Sequence, residues 1–212
     1  SNAGVIPGIK VDKSTHQLAG SKSEVVTEGL DGLRGRLAEY YDMGARFTKW
    51  RAVFSISETT PSDYAISVNA HALGRYAALA QEAGLVPIVE PEILMDGSHS
   101  IDSCFAASER TLRTVFEELS AQGVALEGMI LKPNMVISSH ESPKRATSAE
   151  VAERSLTCFK RTVPAAVPGI AFLSGGQGDE EATVNLDAIN RLIADEGAPW
   201  EVTFSYGRAL VA

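Results

Sequence analysis

The sequence predicts an α/β protein: a parallel sheet covered by helices and curled as in a (β/α)8 TIM barrel, here a partial barrel spanning about six of the eight strands. Three observations carry this. Strand-like and helix-like stretches alternate along the chain without exception, which calls for parallel strands joined by helical crossovers. No Gly-x-Gly-x-x-Gly follows the first strand and no P-loop occurs, so an open nucleotide-binding sheet has no support. Polar residues collect instead where successive strands end, at Lys10, Glu90, Lys132, Ser174 and Ser205. A barrel places its chemistry on that face, whereas an open sheet concentrates it at one switch point.

The elements follow in order. Val5 to Val11, rich in Val and Ile and broken by Pro7-Gly8, reads as the first strand, and a polar loop containing Gly20 follows it. Leu30 to Met43 reads as a helix, with Leu30, Leu33, Leu37 and Tyr41 on one face and Gly44 as its stop. Phe47 to Ile56 is the next strand. Pro61-Ser62-Asp63 opens a long helix whose Ile66, Leu73, Tyr76, Ala77 and Ala80 line one face, and Gly84 ends it. Leu85 to Glu90 is a strand, and Ser100 to Ala121 a helix with a stripe of Phe105, Leu112, Val115, Phe116 and Leu119. Met129 to Lys132 is the fourth strand. Thr147 and Glu150 form a capping box that starts a helix reaching about Val163. Ile170 to Ser174, a helix capped by Asp179 and running through Ile193, and Val202 to Ser205 complete the pattern. No Pro/Ser-rich linker or composition shift interrupts it, so residues 1–212 are read as one domain.

Composition narrows the functional classes. With 44% hydrophobic and 22% charged residues the chain is ordinary for a globular protein, and its net charge of −8 argues against a nucleic-acid partner. No apolar run reaches the length of a membrane span, and no secretory leader is expected. Cys104 and Cys158 sit in helical stretches without paired spacing; they read as buried thiols of a cytoplasmic protein. His16, His71, His99 and His140 are scattered without ligand spacing and read as surface residues, so no metal is expected, and no nucleophile elbow occurs.

Four features point to chemistry. Lys132 ends the apolar run from Met129, and Pro133 stops the strand from continuing as a paired ladder. Desolvation there favours a neutral amine, and a neutral amine attacks carbonyls to form a Schiff base; the plain alternative is a strand end running into solvent. Alternation puts Phe47, Lys49, Arg51 and Val53 on one face and Thr48, Trp50 and Ala52 on the other, and two cations on a largely apolar face are costly unless an anion meets them. Glu90 and Glu92 follow as carboxylates suited to acid–base work. Last, the turns Ser174-Gly175-Gly176 and Ser205-Tyr206-Gly207-Arg208 end the final strands; such glycines let backbone N–H groups approach an oxyanion, and an arginine adds a bidentate donor. Barrels frequently build phosphate sites there, which suggests an eight-stranded barrel lacking its first two strands.

Six stretches, in order, closely resemble class I fructose-bisphosphate aldolase: Gly8 to Lys13, Phe47 to Arg51, Val86 to Ile93, Leu126 to Met135, Phe172 to Gln177 and Phe204 to Leu210. The Leu131-Lys-Pro-Asn-Met135 block is the most specific of them. The resemblance implies a (β/α)8 lyase that cleaves fructose 1,6-bisphosphate reversibly into dihydroxyacetone phosphate and glyceraldehyde 3-phosphate, with no cofactor beyond the covalent Schiff base. It implies Lys132 as the Schiff-base lysine, Glu90 as the acid–base carboxylate, and Lys49 and Glu92 as its assisting pair. It places Arg51 in the substrate site, Ser174, Gly175, Gly176, Ser205, Gly207 and Arg208 on phosphate-binding loops, and Lys10 near the other phosphate.

It also implies that two family strands, one carrying the aspartate used as base in carbon–carbon cleavage, and the C-terminal tail are missing. Barrel-facing residues such as Ile9 and Val53 are then expected to lack partners, and unpaired edge strands to favour a homo-oligomer. The alternative is a catalytically impaired form that only binds sugar phosphates or serves as an assembly partner. Asp12, near a strand end, is the carboxylate left to test as a replacement base.

Overall fold

Three of the helices start where side chains take over the unpaired N–H groups of the first turn. Ser62 accepts from the Ala65 N–H and Ser100 from the Ser103 N–H, while Thr147 and Glu150 bond reciprocally as a capping box. In the computed structural model, which describes residues 4–207, the elements run β1 (Gly8–Lys10), β2 (Thr15–Gln17), β3 (Val25–Thr27), α1 (Leu33–Asp42), β4 (Phe47–Phe54), α2 (Asp63–Glu82), β5 (Val86–Ile93), α3 (Ile101–Ala121), β6 (Ile130–Leu131), α4 (Ser148–Thr162), β7 (Gly169–Phe172), α5 (Asp179–Glu196) and β8 (Glu201–Phe204). Six strands make one parallel sheet in the order β1-β4-β5-β6-β7-β8, and β2 and β3 form a separate antiparallel hairpin. Among the described residues no helix is long and apolar enough to cross a membrane.

The core lies between the sheet and its helices. In β4 the buried face is Thr48, Trp50, Ala52 and Phe54, and Trp50 stacks on Tyr76 of α2 at 5.5 Å between ring centroids. The Tyr76 hydroxyl lies 2.9 Å from Thr48 Oγ1 and donates to the Ile88 carbonyl at 3.3 Å, so a buried phenol ties α2 to two strands. Cys104 and Cys158 are free and buried, as expected; burial pushes their thiols up to about 11 and about 12.

Four expectations need correction. The polar loop after β1 contains the β2–β3 hairpin, which the pattern gave no sign of because Thr15-His16-Gln17 is exposed throughout. It is held from outside: Asn69 of α2 accepts from the Thr27 N–H, and Glu24 accepts from the Ser62 N–H and hydroxyl. Strand β5 continues through Pro91 to Ile93 rather than ending at Glu90. Val89 O and the Ile93 N–H both face the segment after β6, so the Pro91 nitrogen faces a place where β6 has already ended and no ladder donor is missing. Helix α5 is preceded by Gly178 without a side-chain cap; Asp179 is its first residue and complements the dipole instead. Ile9 is in register with Thr48, on the helix-covered side, whereas Val53 shares the Lys49 face as expected.

Replacing Tyr76 with Phe leaves the Thr48 hydroxyl and the Ile88 carbonyl short of a partner in a dry site. The expected loss is about 1–2 kcal/mol, read as a lower urea midpoint at unchanged slope.

Candidate functional site

Parallel register turns the sequence pattern into a row of charges. Lys10, Lys49 and Ile88 are neighbours across β1, β4 and β5, and Arg51 lies opposite Glu90. Lys132 follows β6 directly, and its backbone N–H donates to Val89 O at 2.8 Å, which sets it beside β5. The segment after it is pinned by Asn134, whose Oδ1 accepts from the Ile93 N–H at 2.8 Å and whose Nδ2 donates to Met135 O at 3.0 Å and to Ser108 Oγ of α3 at 3.3 Å.

Signs alternate along the row. Lys10 Nζ is 2.7 Å from Asp12 Oδ1, and Asp12 Oδ2 is 3.5 Å from Lys49 Nζ. Lys49 Nζ is in turn 3.1 Å from Glu90 Oε2, and Glu90 Oε1 is 3.2 Å from Lys132 Nζ. Alongside, Arg51 Nε donates to Glu92. The lysine side chains grow less accessible inward: 55% exposed at Lys10, 21% at Lys49 and 13% at Lys132. With one more cation than carboxylates the cluster suits an anion, although the chain as a whole is acidic. Glu90 is buried, and its Oε2 accepts no well-directed hydrogen bond despite the nearby Lys49 charge, which leaves a lone pair for an incoming proton.

A cavity of about 370 Å³ opens over Glu90 and Lys132, with Arg51 and Glu92 on one side and Leu173, Ser174, Gly175, Ser205 and Gly207 on the other. The predicted residues on or just after five strands, β4 to β8, therefore meet. Lys10 and Lys49 stand behind this cavity rather than on its wall, reaching it through Asp12 and Glu90. Gly176 also lies off the wall, with its carbonyl turned to His140, and Arg208 lies outside the described residues. Gly175 and Gly176 have φ of 63° and 92°, which only glycine adopts without strain. Their N–H groups donate to nothing among the described residues, while Ser174 O accepts from both the Gln177 N–H and its side chain, closing the turn. Free N–H groups in such a turn form an anion cradle.

Sequence reasoning named Asp12 only as a carboxylate to test as a replacement base, and the structure puts its buried carboxylate between two lysines. Burial alone raises its pKa. The Lys10 hydrogen bond, the charges of Lys49 and Lys10, and the Arg51 N–H outweigh that, and its carboxyl lies below the usual range. Its signal was the two-residue spacing from Lys10, which places both on one face of the chain leaving β1. No group of three or more His, Cys, Asp or Glu placed to hold a metal ion occurs among the described residues.

The family model for fructose-bisphosphate aldolase class-I matches residues 1–212. A probable fructose-bisphosphate aldolase class 1 of Xanthomonas axonopodis pv. citri is 57% identical over 98% of this chain and 61% of its own length. The cytosolic fructose-bisphosphate aldolase 4 of Arabidopsis thaliana is 55% identical over 98% of this chain and 52% of its own. Among solved structures, fructose-bisphosphate aldolase from Plasmodium falciparum, in complex with TRAP and a small-molecule inhibitor, has a TM-score of 0.95 at 49% identity, covering 99% of this chain and 60% of that one. The chain thus spans little more than half the length of the relatives it matches, and the six-stranded sheet agrees with a partial (β/α)8 barrel.

Because Asp12 titrates lower in the folded chain than its ordinary 3.8, it contributes stability above about pH 4 that is lost as pH falls through its folded value. Asp12→Asn is therefore expected to lower the urea midpoint at pH 7, and the gap to the parent protein is expected to close below pH 4.

Proposed function

The chain belongs to the class I fructose-bisphosphate aldolase family, and we propose that it performs lysine Schiff-base chemistry on a phosphorylated ketose, in the reversible cleavage of fructose 1,6-bisphosphate to dihydroxyacetone phosphate and glyceraldehyde 3-phosphate. The observation that carries this is the Lys132–Glu90–Lys49 arrangement behind an anion-receiving cavity. In this reading Lys132 passes a proton to Glu90, 3.2 Å away, its freed amine attacks the keto carbon, and Glu90 returns that proton so that the carbinolamine oxygen leaves as water. The resulting iminium draws electrons from the neighbouring carbon–carbon bond as Glu90, ionised again, takes the proton of the hydroxyl on the departing carbon, which leaves as the aldehyde. Lys49 fixes the Glu90 carboxylate from behind, and Glu92 aims Arg51 over the cavity. The turns holding Ser174, Gly175, Gly176, Ser205, Gly207 and Arg208 receive one phosphate, and Lys10 lies toward the other.

A second reading is favoured by Asp12. Held below the ordinary carboxylate range by two lysines, it is a poor proton acceptor for the substrate hydroxyl, so it does not serve as the base for carbon–carbon cleavage. The described chain would then bind and condense with the ketose without completing cleavage. We also read the protein as cytoplasmic, like its cytosolic-named relatives, and as a homo-oligomer: β1 and β8 are the outer strands of the sheet, and Phe204 on β8 is 49% exposed. A single monomeric species in sedimentation would refute the assembly.

Incubation with dihydroxyacetone phosphate followed by borohydride is expected to leave a reduced adduct on Lys132, located by mass spectrometry. Lys132→Met should abolish it, and Glu90→Gln should slow trapping by about 100-fold. A folded protein giving no adduct would refute the Schiff-base reading. An adduct without aldol cleavage in a parallel assay would select the second one.

A further inference from the structure

His140 lies on the surface, as expected, and both its ring nitrogens are engaged. Nε2 lies 3.0 Å from the carbonyl oxygen of Gly176, and Nδ1 lies 3.2 Å from Nη1 of Arg145. A guanidinium only donates and a carbonyl only accepts, so the arrangement fits one tautomer: hydrogen on Nε2, given to Gly176, and a bare Nδ1 receiving Arg145. Arg145 is itself fixed by Glu181 in the first turn of α5. The ring thus braces the turn at Gly176, off the cavity wall, while Gly175 of the same turn lines the cavity. From within, the same turn is braced by Gln177, which donates to Ser174 O at 2.9 Å and accepts from Asn185 at 2.7 Å.

We propose that His140 is a positioning residue for the anion-binding turn Ser174–Gln177: by holding the Gly176 carbonyl it keeps Gly175 against the cavity, where its free N–H can meet an anion. The assignment rests on reading that turn as a phosphate site. It makes the segment that leaves Lys132 also the outer support of the phosphate cradle, so nucleophile and cradle are placed by one stretch of chain.

The test compares the parent protein with His140→Leu, which removes both ring contacts, and His140→Gln, whose amide can donate to Gly176 and accept from Arg145. Affinity for inorganic phosphate, measured by titration calorimetry, is expected to fall about fivefold in His140→Leu, the worth of one neutral hydrogen bond, and to return in His140→Gln. Borohydride trapping with unphosphorylated dihydroxyacetone, which needs Lys132 and no cradle, is expected to stay the same in all three. Equal phosphate affinity in the parent and His140→Leu would overturn the proposal while leaving the Schiff-base reading intact. So would a parent protein that traps dihydroxyacetone and binds no phosphate. An equal loss of phosphate binding and trapping would show general damage and would also overturn it.

Discussion

The site depends on a buried carboxylate held between two ammonium groups. Lys49 and Lys132, 3.1 and 3.2 Å from Glu90, offset the cost of burying its charge, and it offsets theirs in turn. Each group makes the burial of the next tolerable, from Lys10 through Asp12 inward. Removing a carboxylate from the middle strands two cations, which is why the row behaves as a unit rather than as separate ion pairs.

The sheet supplies the spacing that lets the row exist. Parallel strands in register repeat the same two-residue alternation side by side, so Lys10, Lys49 and Ile88 stand level and Glu90 stands opposite Arg51. The opposite face of β4 is spent on Trp50 and Thr48 against Tyr76, which leaves the strand no freedom to shift by one residue without burying Lys49 under α2.

Much of this was legible before any coordinates. Alternation in Phe47–Phe54 separated Lys49 and Arg51 from Trp50 correctly, and the Thr147–Glu150 capping box appeared where its spacing placed it. What failed were features whose cause lies elsewhere in the chain. The β2–β3 hairpin has no apolar alternation of its own and is clamped by Glu24 and Asn69. Pro91 looked like a strand end because its tolerance follows from the shortness of β6. His140 is exposed, as expected, but its contact was hidden because its partner, Gly176, is a backbone carbonyl on another loop. Residue types announce chemistry; a backbone acceptor far away in sequence leaves no trace in them.

Asn134 joins three parts of the molecule through one amide: the end of β5, the segment carrying Lys132, and Ser108 in the middle of α3. Glu90 and Lys132 therefore share a mechanical frame with a helix that lies on the other side of the sheet from the cavity. In the proposed chemistry the gap that a proton crosses would be as stiff as the packing of α3. A change in that helix, remote from any substrate, would register as altered proton-transfer rates before it registered as altered binding.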